Sequence, residues 1–225
     1  MTEEIVSPPP AGGGMSSFKT LVNIPGRPRA DIQVFDSKVP KPEEIAFLTQ
    51  PLLKAVVALG GELKDIHAKW AIGGDAGEIV KGVNVRTDYL EILTTKEGCI
   101  EISERMKDYR TLEPATVERK LAKEAEVDGK MYPVYIKSHY AELSVNKVRV
   151  EIHGDEQIKV GEWDWGDPLD FEPDYSYIVG KKIPIVPLRL KSELDIGLGW
   201  LDRVELISIA IMSGQHHLAE GGTRH

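Results

Sequence analysis

The chain has 225 residues, a formal net charge of −8, and 41% apolar and 28% charged residues, proportions of a globular protein with room for one sizeable core. The acidic balance argues against general nucleic-acid binding, which needs clustered Lys and Arg. The single cysteine, Cys99, excludes an internal disulfide, and no apolar run approaches the roughly 20 residues of a membrane helix, so a cytoplasmic protein outside the membrane is expected.

Residues 1–17, acidic and then Pro/Gly-rich, are expected to form a disordered tail. "ADIQVFD" (30–36) reads as a short strand. In "VPKPEEIAFLTQPLLKAVVALGG" (39–61), Ile45, Leu48, Leu52, Ala55 and Leu59 share a helical face; Pro51 kinks or starts a helix and Gly60-Gly61 ends it. "HAKWAIGG" (67–74) reads as a strand closing on glycines. "DAGEIVKG" (75–82) reads as a short helix with Asp75 at the N-cap and Glu78 three residues on. "VNVRTDYLEILTT" (83–95) reads as one long strand with both faces covered.

"EGCIEISERMKDYRT" (97–111) and "ATVERKLAKEAE" (115–126) are expected to be helical. "DGKMYPVYIKSHYAEL" (128–143) and "NKVRVEIHG" (146–154) read as strands around a turn. Residues 155–180 form an acidic, aromatic region expected to be a loop. "KKIPIVPLRLKSELDIG" (181–197) passes from strand to helix, and "GWLDRVELISIAIM" (199–212) is a final apolar helix. The order gives an α+β fold, helices on a mixed sheet of about 4–5 strands, as one domain over residues 18–212, with residues 213–225 as a loose tail.

Gly73 and Gly74 end a strand just before a helix, where phosphate can approach backbone N–H groups. Divalent metal needs carboxylates that share a sheet face. Asp88 and Glu91 are three apart, hence on opposite faces unless a bulge intervenes; Tyr89 and Glu91 share a face. In "VRVEIHG", Arg149, Glu151 and His153 face one way and Val148, Val150 and Ile152 the other, a pattern that also suits a half-buried edge strand.

In this order, "AIGGDAGE", "VRTDYLEIL" and "VEIHG", followed by "VGKKIPIVPLRLKSEL" and "LDRVELI", resemble the nucleotidyltransferase fold typified by DNA polymerase β and the minimal nucleotidyltransferases. That resemblance spans about residues 45–210 and implies a nucleoside triphosphate bound with Mg²⁺ and transfer of a nucleotidyl group. It implies that Glu91, Glu151 and Asp88 hold metal and do the chemistry, while Gly73, Gly74, Arg86 and Lys191 hold phosphate. It also places Tyr89 where the first acid of the pattern stands. That departure supports a second expectation: a catalytically inactive scaffold or regulatory binding module on the same fold, a candidate homodimer using the acidic-aromatic region.

Overall fold

The structure is a computed structural model and describes residues 48–220. The expected strand at 30–36 and the tail at 1–17 lie outside the described residues. Helix α1 (Gln50–Glu62) has Pro51 in its first turn, where the N–H it lacks would go unused. It buries Leu52, Ala55, Val56 and Leu59. The expected stop at Gly60-Gly61 is corrected, since the helix runs on to Glu62. Gly60 serves packing: a Cβ there would lie 2.1 Å from Ile183 Cδ1, so its absence lets the helix press onto the sheet.

Then follow β1 (Trp70–Gly73), α2 (Gly74–Val80), β2 (Leu90–Thr94), α3 (Lys96–Arg105) and a 3₁₀ turn at Lys107–Tyr109. Next come β3 (Arg110–Lys120), β4 (Ala125–Val127), β5 (Lys130–Tyr132), β6 (Val134–Val145) and β7 (Val148–Val160). The chain continues through β8 (Asp174–Ile178), β9 (Lys181–Ile185), α4 (Leu188–Leu198) and α5 (Leu201–Glu220), whose last turns enter the segment expected to be a tail.

Among the described residues, seven strands form one mixed sheet in the order β3-β6-β7-β2-β1-β9-β8, more than the 4–5 expected; β4 and β5 make a separate hairpin. β2 pairs with β1 antiparallel and with β7 parallel. β1 also pairs with β9 parallel. One face of the sheet carries Leu90, Ile92, Leu143, Val150 and Ile152 under α1 and α3, the largest apolar cluster.

Three further expectations are corrected. The helix expected at 115–126 is instead the end of β3, a bend and β4. β3 is an outer strand, mostly exposed, so no buried alternation betrays it, and its Lys, Arg and Glu residues guard the open edge. The long strand expected at 83–95 shrinks to Leu90–Thr94, because Val83 and Val85 are buried against Leu188 and Ile207 instead of joining the sheet. The loop expected at 155–180 begins and ends as strand, in β7 and β8.

Between β6 and β7 the turn Asn146-Lys147 has φ values of 52° and 65°, which matches a tight hairpin turn with both central residues left-handed. Farther along, the register shifts: Gln157 faces Lys137 while Gly154 faces His139, so Asp155 and Glu156 both stand opposite Ser138. Asp155 takes a φ of 49° in this bulge. The extra residue flips the alternation of β7. Before it, Val150 and Ile152 join the core under α1 and α3; after it, Ile158 and Val160 join a second cluster with Leu194 and Leu198 of α4.

Candidate functional site

The glycine corner is built by close approach. Gly74 takes a φ of 51°, and a Cβ there would sit 2.8 Å from Glu91 Oε2. Gly77, one turn on, would strike the Ile72 carbonyl oxygen at 2.6 Å if it carried a Cβ, so α2 lies directly on the backbone of β1. The expected cap is corrected: Gly73 is the N-cap residue and no side chain caps the helix. Asp75 instead pairs with Arg203 of α5, whose Nε also lies 2.8 Å from Glu78 Oε2. Glu78 is buried, its Oε1 meets no hydrogen-bond donor among the described residues, and burial pushes its carboxyl up.

Register brings the two expected acids together. Gly73 stands opposite Glu91 on β1 and β2, and Glu91 stands beside Glu151 on the parallel strands β2 and β7. Paired positions of neighbouring strands share a face, so both side chains leave the sheet on the same side. On the next strand Glu142 stands beside Glu151 in turn, completing a row of glutamates that alternation within one strand could not reveal.

Asp88 is different. It is exposed, sits in the bend before β2 and lies outside the cavity beside Glu91, so no bulge carries it into the row. Arg86 is likewise exposed and outside that cavity.

Glu151 is only 3% exposed, and its charge is met by side chains. Arg119 donates to Oε2 from both terminal nitrogens at 3.3 Å. Arg149 Nη2 lies 3.3 Å from Oε1, and His153 Nε2 lies 3.3 Å from Oε2. Burial alone would raise this carboxyl, but the His153 hydrogen bond, Arg119 and Arg149 hold it at about 2. His153 is raised in turn: burial opposes its charge, yet Glu151 and Glu156 outweigh it. The bulge in β7 is what puts Glu156 on this side, with Oε2 3.2 Å from His153 Nδ1. Burial pushes Glu156 up to about 7. Ser138 Oγ also contacts His153 Nδ1, at 3.1 Å.

A cavity of about 240 Å³ opens between this polar face, α2 and α4. Gly73, Gly74, Tyr89, Glu91, Arg119 and Lys191 line its polar part, and Leu169, Val186, Leu190 and Trp200 contribute to its apolar wall. Tyr89 lies under Arg149, 4.9 Å from guanidinium to ring centroid, and burial together with Glu91 and Glu151 pushes its phenol to about 12. Lys191 donates to Asp195 Oδ1 at 2.6 Å. Thus Gly73, Gly74, Glu91 and Lys191 meet at the cavity, Glu151 lies behind it, and Asp88 and Arg86 lie apart. Arg119 and Glu156 were not anticipated. Arg119 falls in the stretch read as helix, and Glu156 needs the bulge.

Among the described residues, Asp88, Glu91 and Glu151 do not converge as a three-carboxylate metal site. Of Asp88, Glu91 and Glu151, only Glu91 reaches the cavity without a cationic partner among the described residues. No group of three or more His, Cys, Asp or Glu among the described residues is placed to hold a metal ion. No described helix is long and apolar enough to cross a membrane.

No protein-family model matches the chain, and no curated protein matches it. Among solved structures, a candidate nucleotidyltransferase from Thermotoga maritima is similar with a TM-score of 0.53 and 23% identity, over 77% of this chain and 96% of that one. The lincomycin-bound lincosamide antibiotic adenylyltransferase LnuA overlaps more loosely, with a TM-score of 0.42 and 11% identity over 71% of this chain and 96% of its own. The glycine corner, the mixed sheet with its helices, and the Thermotoga overlap together show that this chain has the nucleotidyltransferase-like fold.

Proposed function

We propose that this chain is a nucleotide-binding module on the nucleotidyltransferase-like fold in which basic side chains take over the charge balance that metal would supply. One observation carries the reading: Glu151 is saturated by Arg119, Arg149 and His153, while Tyr89 stands where the family pattern has its first acid. Mg²⁺ at Glu151 would have to compete with two guanidiniums and an imidazole that already balance its charge, and a phenol held near 12 stays protonated at neutral pH. In this reading a nucleoside triphosphate sets its phosphates near Gly73 and Gly74 and against the Arg119 guanidinium. Lys191 adds a partly offset positive charge, and Trp200 and Leu190 receive the base.

A second reading is favoured by the register pairing of Glu91 with Glu151 beside the corner. There Glu91, Glu151 and Asp88 hold Mg²⁺ and the protein transfers a nucleotidyl group to an acceptor. It requires Glu151 to leave its arginine partners and the bend at Asp88 to turn inward. When bound, Mg²⁺ would supply charge neutralisation of the triphosphate.

Calorimetry with ATP, CTP and GTP, with Mg²⁺ and with EDTA, separates the two. The first reading expects binding heat in EDTA, little changed by Mg²⁺, with no pyrophosphate released and with Arg119→Gln weakening binding. The second expects heat only with Mg²⁺, together with slow pyrophosphate release in which water stands in as acceptor and the nucleoside monophosphate is the other product, both lost in Glu91→Gln. Absence of heat with all three nucleotides under both conditions refutes both.

A further inference from the structure

Strand β8 is an open edge. It is outermost in the sheet and pairs only with β9 among the described residues. The opposite edge, β3, is guarded by Pro114, by register shifts at Leu112 and Ala115, and by a run of charged residues. β8 reads "DYSYI": it has no proline, no lysine and no register shift, and its one acid, Asp174, is paired with Lys81 at 3.1 Å. Tyr175, Tyr177 and Val179 are 52%, 78% and 70% exposed. None of the three lines the cavity at the glycine corner.

The hairpin turn fixes which backbone groups this edge offers. Val179 and Gly180, with φ values of 49° and 73°, form a two-residue turn closed by Ile178 and Lys181. The closing pair of such a turn exchanges its hydrogen bonds, and the ladder then alternates. Ile178, Ser176 and Asp174 therefore bond to β9, while Tyr177 and Tyr175 turn their N–H and C=O groups outward. Pro184, which has no N–H, stands opposite Tyr175 and fits that alternation. The outward row stops at both ends. Pro173 has no N–H to offer at one, and the turn at Val179 leads the chain away at the other.

Two outward residues, two positions apart, are what an antiparallel second copy of β8 offers in return. A two-fold axis at Ser176 sets Tyr175 of each copy against Tyr177 of the other, and all four outward N–H groups meet carbonyls. An axis at Tyr175 would instead set Tyr177 against Pro173, and one at Tyr177 would set Tyr175 against the left-handed Val179. Charge permits the Ser176 register as well. The chain carries a net −8, yet no like charges face each other there: tyrosine faces tyrosine, serine faces serine, and Asp174, already balanced by Lys81, faces Ile178. The acidic approach to β8 holds Asp170 and Glu172, whose carboxylates outnumber their one partner Lys69. It comes toward the hairpin end of the other copy, where β9 begins with Lys181 and Lys182, so the ends attract at long range without needing contact. The tyrosines form two cross-strand aromatic pairs on the face they share with Lys182, whose Nζ lies 3.9 Å from the Tyr175 ring centroid.

We propose that β8 pairs antiparallel with β8 of a second copy of this chain, about a two-fold axis at Ser176, joining the two sheets into one. With one short strand from each copy, the contact belongs to the weak, reversible class.

Sedimentation velocity of the full chain from about 5 to about 500 µM should show monomer passing into dimer. Hydrogen exchange followed by NMR should slow several-fold at the Tyr175 and Tyr177 amides in the concentrated sample. The Ser176 and Ile178 amides, bonded to β9, should exchange alike at both ends of the series. Tyr175→Glu with Tyr177→Glu sets like charges against each other across the axis and should raise the dissociation constant at least tenfold. Tyr175→Lys with Tyr177→Glu sets opposite charges there and should bring it back to within about threefold of wild type. Both variants should melt like wild type in dilute solution, because both side chains are exposed. A chain that stays monomeric throughout, a dimer whose Tyr175 and Tyr177 amides are not slowed, or a Lys/Glu variant that dissociates as readily as the Glu/Glu one would each overturn the proposal. So would equal protection of those two amides at every concentration without dimer, which would mean that another part of the same chain closes the edge.

Discussion

Glu91 and Glu151 stand side by side on parallel strands and leave the sheet on the same face, yet only Glu91 looks into the cavity, while Glu151 is gripped by two arginines and a histidine. The pair therefore has two chemistries within one register step, and mutation should separate them. Glu151→Gln leaves Arg119, Arg149 and His153 without their counter-charge on a largely buried face. It should cost roughly 2 kcal/mol, below the usual loss for breaking a fully buried pair because both arginines are partly solvated. Glu91→Gln, half-buried and without an ion pair among the described residues, should stay within about 0.5 kcal/mol of wild type. Urea denaturation of the two variants checks this. Equal losses would mean that Glu151 is not the structural member of the pair.

The titrating groups around His153 set a pH profile. Ionised Glu151, held at about 2 against an ordinary 4.5, stabilises the fold above pH 4.5, and that contribution is lost as pH falls toward 2. Glu156, at about 7, keeps in the folded protein a proton that the unfolded chain releases, so its contribution drains away as pH rises from 4.5 to 7. His153 is raised above an ordinary 6.5, so its contribution is complete below 6.5 and disappears as pH climbs through the raised value. Denaturation midpoints at pH 3, 5 and 8 should be highest at 5. Glu156→Gln should flatten the decline between 5 and 7. A midpoint still rising from pH 5 to 8 would contradict the assignment.

Gly74 carries a double constraint, its left-handed backbone and the Glu91 carboxylate 2.8 Å from where a Cβ would stand. Gly82, with a φ of 88° and open space around it, carries only the first. Gly82→Ala should therefore cost about 1 kcal/mol and Gly74→Ala about 2 or more. In a Glu91→Ala background the cost of Gly74→Ala should shrink toward that of Gly82→Ala. Strict additivity of Gly74→Ala and Glu91→Ala would show that the carboxylate does not press on the corner.

Cys99 is fully buried in α3, and burial pushes its thiol to about 12. The native protein should resist iodoacetamide at pH 8, and the thiol should react only as the chain unfolds. Mass spectrometry of samples along a urea series would follow this directly; rapid alkylation without denaturant would place Cys99 at the surface.

The fold was legible where a short apolar run is bounded by turn residues. The strand at Ala71 and Ile72 before the glycine pair and the passage from Ile183 and Ile185 into a helix with Leu194 and Leu198 read correctly, while the strand holding Leu90 and Ile92 was found but read too long. It was illegible where burial has no period or changes it. β3 buries little and guards itself with charge, so its Arg119 was read onto a helix. The bulge at Asp155 reverses the alternation of β7, which hides Glu156 from any strand-face argument. The site suffers from the same cause. Glu91 and Glu151 were linked through the resemblance to the family's acid pattern, but the cations that occupy Glu151 come from Arg119 and from the neighbour on its own strand, Arg149. Val83 and Val85 show the converse error, an apolar rhythm that answers to α5 and not to a sheet.

Arg203 reaches from the C-terminal helix to both Asp75 and Glu78 on the short helix behind the diglycine bend. One guanidinium thus rivets two segments more than a hundred positions apart in the chain. Displacing the final helix would take that guanidinium away from the buried Glu78 carboxylate, so the seat of the helix and the shape of the bend are energetically coupled.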